Sequence, residues 1–382
     1  MGPLDVIKLP LTCESLHAYL IGDSLLLYSQ STQNVYGLEK ESASLFLQID
    51  MLPRNTTIEE IANRFPDVDI SLLKQMVALA NCHEEIERVA YEADIEIGNY
   101  IKDDLPRVYY RVDNTVFAVH YQEETFFKRF HAVFEHLHIQ EPGNGRMISV
   151  DFVKNGDAWE IHWNDIVVDM LIPEGQLATF LQEKMMTAAY QARNYLISLH
   201  AASVEKNGSV VIFPAVAGSG KTTLTATLLQ NGFQLFSDEN TSLDDEGSVH
   251  PLPFCMNIKE GSWDVLSTLY PHLKERDVHY RFDGQKIRFL PPENMHKGRK
   301  KATHLVFPKY TPFAKTSLVP LSANEALSKI RDANYQVQKN MDVEKFERIV
   351  KNLISLPSVV LEYSDTDEAV TAINALIQDQ RP

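Results

Sequence analysis

A chain of 382 residues, 44% apolar and 23% charged, is long enough for two or three globular units and is unlike a disordered or fibrous chain. Its net charge of −16 argues against nucleic acid or an anionic membrane as the main partner. Three cysteines, Cys13, Cys82 and Cys255, are odd in number and far apart, so neither a disulfide framework nor a CxxC metal site is expected, which fits a reducing compartment. There is no signal-peptide pattern at the N-terminus, no Ser or Thr at the myristoylation position after Gly2, and no apolar run of membrane-spanning length. The expectation is a cytoplasmic protein.

Residues 1–92 read as a small unit. Leu16–Ile21, Leu25–Ser29 and Val35–Leu38 have strand character, and Gly22-Asp23 fits the hairpin turn between the first two. Helices are predicted over Ser42–Met51, Thr57–Phe65 and Ser71–His83. The second starts with a capping box, Thr57 with Glu60 three residues on. Strands followed by three short helices make a winged-helix layout. Val35-Tyr36-Gly37-Leu38, Glu41-Ser42-Ala43, Leu45-Phe46 and Thr57-Ile58-Glu59-Glu60-Ile61-Ala62 together resemble the PqqD-type peptide-recognition domain. Pro53-Arg54-Asn55 stands where that family has a glycine. The resemblance implies a recognition element for modified-peptide pathways, which would bind a peptide or small protein substrate along a strand edge. A winged helix used only for packing or dimerisation is the alternative, and room is left for a homo-oligomer.

Glu84–Asn99 is an acidic connector, and the first boundary is placed in it. Residues 100–194 read as a mixed α/β lobe, with strands at Val108–Val112, Val116–Val119, Ile148–Val153 and Trp159–Trp163 and helices at Glu124–His138 and Leu177–Asn194. His131, His136 and His138 do not share a helical face, so they are expected to titrate at the surface rather than to bind metal. The basic run His296–Lys301 is read as a solvated loop, with a clamp for phosphate or an acidic peptide as the alternative.

The strongest signal lies in residues 195–382. Ser209–Pro214 is an apolar strand, Ala215–Gly220 a glycine loop and Thr222–Asn231 a helix stopped by Gly232. This is the phosphate-loop pattern with Ala215 at its first glycine. Gly218 and Gly220 let main-chain amides close on phosphate, with Ser219 between them and Thr222 and Thr223 opening the helix. Lys221 reaches the β- and γ-phosphates, and Thr222 offers a hydroxyl to Mg²⁺. After the helix, Gln234–Ser237 ends in Asp238-Glu239, where one carboxylate suits Mg²⁺ and the other a proton. His200 precedes Lys221 by 21 residues, and the acidic pair follows it by 17 and 18.

His200-Ala201-Ala202, Gly218–Thr223 and Asp238-Glu239 resemble the HPr serine kinase family, whose catalytic domain is related to phosphoenolpyruvate carboxykinase. The family has His-Gly-Val and Asp-Asp at the first and last places. The expected fold is therefore α/β: an α+β multidomain chain with an HPr kinase-like nucleotide domain after a winged-helix unit. The resemblance implies an ATP-dependent kinase acting on a hydroxyl, of a peptide or protein Ser/Thr or of a small molecule. Glu239 would be the base, His200 and Lys221 would neutralise the transferred group, and Thr222 and Asp238 would hold Mg²⁺. Lys259, in Lys259-Glu260-Gly261-Ser262, resembles a phosphate or substrate contact of the divergent branch. The family's later arginine has no counterpart that the sequence alone places. Residues 302–382 read as a finishing lobe without chemistry. A nucleotide-gated scaffold and a simple NTP hydrolase are the alternative readings.

Overall fold

The computed structural model describes residues 6–82, 106–164, 166–193, 195–338 and 341–378. The expected connector at 84–99 lies outside the described residues. In the first unit β1 (Val6–Leu9), β2 (Leu16–Ile21), β3 (Ser24–Ser29) and β4 (Val35–Leu38) form an antiparallel meander in chain order. Helices α1 (Lys40–Asp50), α2 (Ile58–Arg64) and α3 (Ile70–Ala80) follow. The capping box forms as the sequence predicts: Glu60 N donates to Thr57 Oγ1 at 3.3 Å and Thr57 N donates to Glu60 Oε2 at 2.9 Å. Strand alternation divides the sheet. Leu16, Ala18, Leu25 and Leu27 face the helices, whereas Tyr19, Ile21 and Tyr28 face the far end of the chain.

Cys13 and Cys82 form a disulfide, contrary to the sequence reading. They are 69 residues apart, one ahead of β2 and the other just past α3, and only the packing of the helices on the sheet brings them together. The cysteine argument for a reducing compartment falls with it, since disulfides persist in oxidising surroundings. Cys255 is a buried free thiol, and burial pushes its pKa up.

The second unit holds β5 (Arg107–Val112), β6 (Thr115–His120), α4 (Glu124–Phe134), β7 (His138–Ile139), β8 (Arg146–Asn155), β9 (Ala158–Trp163), β10 (Ile166–Pro173) and α5 (Glu174–Ala192). Among the described residues its sheet runs β10-β9-β8-β6-β5-β7. Of the three histidines read together, His131 pairs with the Tyr110 hydroxyl at 2.8 Å and His136 with the Pro253 carbonyl at 2.7 Å. The core of this unit continues into Phe254, Cys255, Ile287 and Phe289 of the third.

The third unit begins with β11 (Ile197–Leu199), β12 (Ala201–Lys206), β13 (Ser209–Pro214), α6 (Lys221–Gln230) and β14 (Gln234–Ser237). Then come β15 (Thr241–Leu243), β16 (Ser248–Val249), β17 (Met256–Lys259), α7 (Trp263–Leu269), β18 (His279–Tyr280), β19 (Lys286–Leu290) and β20 (Lys300–Lys301). The chain finishes with β21 (His304–Tyr310), β22 (Ser317–Pro320), α8 (Ala323–Ala333), β23 (Tyr335–Val337), α9 (Val343–Ile354), β24 (Ser358–Tyr363) and α10 (Thr366–Gln378).

The main sheet of this unit runs β14-β12-β13-β21-β24-β22. Its central strands are apolar on both faces because both are covered: Val211 and Phe213 pack into one core, Val210 and Ile212 into another. β12 is antiparallel to both β13 and β14, so those two strands run the same way. β21 and β24 also run parallel to β13. Four strands therefore finish at one edge, the place where open α/β sheets bind ligands. No helix among the described residues is long and apolar enough to cross a membrane.

Candidate active site

Sheet topology gathers the predicted residues. β12 starts where β13 and β14 end, which sets His200, the loop after Pro214 and Asp238-Glu239 at the same edge. The glycine loop leads into α6 through Gly218 at φ 85° and Gly220 at φ 88°, both in the left-handed region. A Cβ on Gly220 would lie 2.5 Å from Tyr363 Oη and 3.1 Å from Tyr310 Cβ, whereas one on Gly218 would meet open space. Gly220 is thus needed for the close approach of the loop to its neighbours, while Gly218 faces the cleft.

The loop borders a cleft of about 830 Å³, which Gly218, Ser219, Gly220, Lys221, Thr222 and Thr223 all line. The amide end of α6 opens there, a favourable place for an anion. Lys221 is 7% exposed and donates to the Asp238 carbonyl, and its Nζ stands 3.9 Å from Glu239 Oε2. Thr223 Oγ1 shares a 2.8 Å hydrogen bond with Ser262 Oγ, tying the helix start to the Lys259–Ser262 segment. Lys259 itself lines the cleft.

Asp238 is 4% exposed, and neither of its carboxylate oxygens has a well-formed hydrogen bond. Burial pushes its pKa up to about 6, with the Glu239 charge adding to the rise and Lys221 and the Thr222 side chain opposing it. Glu239 goes the other way. Its burial raises the pKa, but Lys221, His200, Arg281 and Lys259 outweigh that and hold the carboxyl below the usual range. The His200 pKa is lowered, first by burial and then by Lys221, with Glu239 opposing. The lowering favours the neutral imidazole, so an anion in the cleft would meet positive charge from Lys221, Lys259 and Arg281 more than from His200.

The donor set around Asp238 suits Mg²⁺. This ion takes oxygen ligands, and one or two carboxylates suffice when phosphates supply the rest. Two unsatisfied carboxylate oxygens beside the Thr222 hydroxyl meet that need.

Several residues of the cleft carry no motif. Arg281 Nη1 lies 3.7 Å from Glu239 Oε1 and supplies an arginine that the sequence alone does not locate. It follows the short strand β18, which nothing in the sequence marks. Tyr310, Tyr363 and Asp365, from the C-terminal lobe in which the sequence shows no chemistry, also line the cleft. They arrive because β21 and β24 end at the same edge as β13. Tyr310 N donates to the Ser219 carbonyl at 3.1 Å and Tyr363 Oη donates to the Gly220 carbonyl at 3.3 Å, so this lobe holds the loop in shape. The basic run lies elsewhere. Arg299 pairs with Asp244 at 2.8 Å and Lys300 with Glu205 at 2.9 Å, as befits a surface segment anchored by its own acids. No family model matches the chain, and no curated protein matches it.

Proposed function

We propose that this chain is an ATP-dependent phosphotransferase that moves the γ-phosphoryl group of ATP to a hydroxyl. The observation that carries the reading is the convergence of a buried lysine, an unsatisfied carboxylate and a second, readily ionised carboxylate on the amide end of α6. The triphosphate would lie along Gly218–Thr223, with Lys221, Lys259 and Arg281 facing its charge. Thr222 and Asp238 would hold Mg²⁺, which when bound offsets the charge of the β- and γ-phosphates. Glu239 would accept the proton of the incoming hydroxyl as the new P–O bond forms and the bond to the β-phosphate oxygen breaks. His200, uncharged, would orient the acceptor or the γ-phosphate by a hydrogen bond. A peptide or small protein held by residues 6–82 remains part of the reading, supported by the resemblance; among the described residues β4 is the outer strand of its sheet, with Arg331 donating to its Gly37 carbonyl at 3.1 Å.

The test separates transfer from capture. Glu239→Gln should keep ATP affinity within about threefold and lower transfer by about 100-fold or more. Lys221→Ala should weaken ATP binding as well. Undiminished transfer by Glu239→Gln would refute the base assignment. ATP binding followed by phosphate release to water alone would favour a hydrolase.

A further inference from the structure

A second cavity of about 480 Å³ adjoins the nucleotide cleft and shares His200, Glu239, Asn257 and Arg281 with it. It therefore opens on the far side of the proposed base, where an acceptor has to wait. Its size is that of a small-molecule site. One wall is a single face of α5: Thr179, Gln182, Glu183 and Met186, at i, i+3, i+4 and i+7. The opposite walls come from Asn240, Asp283 and Asn334.

The polar groups of this cavity are ordered in a particular way. Asn257 Oδ1 accepts from Gln182 Nε2 at 3.0 Å. Asn240 Oδ1 accepts from the hydroxyls of Ser198 and Ser242. Asn334 Oδ1 accepts from Tyr335 N at 2.8 Å. Each carboxamide oxygen is taken by the chain, so each amide NH₂ group is the part left to serve a ligand. Gln182, 4% exposed, also leaves its Oε1 without a partner. The acceptors facing these donors are carboxylates, Glu183, Asp283 and Glu239. The guanidinium lining this cavity, Arg281, stands 3.7 Å from Glu239 and 3.6 Å from Asp283, and with Glu183 the carboxylates outnumber it here. Phe282 adds an aromatic surface to the wall.

Amide donors, carboxylate acceptors and an aromatic ring around one small space match a molecule with hydroxyls on several sides. They do not match an anion, which the acids would repel, and a lone seryl hydroxyl would leave most of them unpaired. Resting on the phosphotransferase reading, we propose that the acceptor is a small polyhydroxylated molecule without negative charge, a neutral or amino-substituted polyol. In the transfer, one polyol oxygen takes the phosphoryl group, its proton passes to Glu239, and ADP leaves.

The experiment uses the full chain with Mg²⁺ and γ-labelled ATP, offered glucitol, glucosamine, glucuronate and a seryl peptide in parallel. Binding of the same probes is followed separately by saturation-transfer NMR without nucleotide. Label on glucitol or glucosamine, with at least tenfold less on glucuronate and peptide, is the expected result. Asn257→Asp and Asn240→Asp should each raise the polyol KM about tenfold, with a smaller change in kcat. Glu183→Gln combined with Asp283→Asn should admit glucuronate, a gain that misfolding cannot imitate. Label on the peptide or glucuronate alone would overturn the acceptor class and leave the phosphotransferase reading standing. Polyol binding that depends on Asn240 and Asn257 without any transfer would uphold the cavity and sink the phosphotransferase reading. No polyol binding and no polyol labelling would overturn the proposal.

Discussion

Asp238 is a carboxylate held against its own preference. Its folded pKa, about 6, lies above the ordinary value of 3.8, so the folded state binds the proton more tightly than the unfolded chain. The stability linked to this group is complete below pH 3.8 and is lost as the pH rises through about 6. The loss is on the order of 3 kcal/mol for a shift of this size. Denaturant midpoints of the nucleotide-free protein should therefore drop between about pH 4 and 6.5, and Asp238→Asn should flatten that drop; an unchanged profile in the variant would count against the assignment. Mg²⁺ with nucleotide should recover the stability near pH 7. Gly220 offers a second test at this scale. Gly220→Ala would force a methyl group to within 2.5 Å of Tyr363 Oη at a left-handed φ, so ATP affinity should fall at least tenfold. Gly218→Ala meets no neighbour and should bear only the cost of its φ. The loop and the acid pair were legible in the sequence because strand, turn and helix are adjacent along the chain. Arg281, Asn257, Tyr310 and Tyr363 were not, because each is an ordinary residue type set in place by sheet order.

At the scale of elements, strands announced by alternation were readable: β2 and β4 match the predicted limits, and β3 differs by one residue. β1 escaped because its four residues show no clean alternation. In the first unit the helices begin one or two residues from the predicted starts, and α5 begins three residues early, because apolar spacing does not mark the first turn. Asp69, for example, accepts from Ser71 N and Leu72 N and so begins α3 a residue before the predicted start. The Cys13–Cys82 bond was illegible for a related reason, since spacing along the chain says nothing about a pair 69 residues apart that only α3 docking unites. A cross-link closing a loop of that length is worth about 4 kcal/mol where strain is absent. Reduction should therefore lower the thermal midpoint of the first unit while leaving ATP affinity within about twofold. Calorimetry of oxidised and reduced protein tests this, and coincident traces would show that the bond adds nothing.

Across the whole molecule, the three units share cores rather than standing apart. The outer face of the first sheet meets α9, where the Tyr28 ring stacks on Phe346 with centroids 4.3 Å apart and Tyr28 Oη donates to the Met341 carbonyl at 2.7 Å. Lys8 adds an ion pair with Glu347 at 3.0 Å, a partly exposed contact of minor weight beside the aromatic packing. Phe346→Ala should cost about 3–5 kcal/mol and loosen this contact. Hydrogen exchange should rise in β2 and β3 more than in β13, and equal protection in all three would contradict the docking. The second unit is no mere spacer either, since α5 walls the cavity beside Glu239. None of this was readable from composition, which bounds the number of units and is silent on how they share surfaces.

The bond from the Lys221 ammonium to the Asp238 carbonyl has a further consequence. In the free protein that lysine is a mooring line: it fastens the end of β14 to the head of α6. If the proposed function holds, an arriving triphosphate would compete for the same ammonium, and whatever it won would slacken the line on the turn that carries both acids. Filling the cradle and freeing the proton acceptor to swing toward its alcohol would then be two ends of one rope.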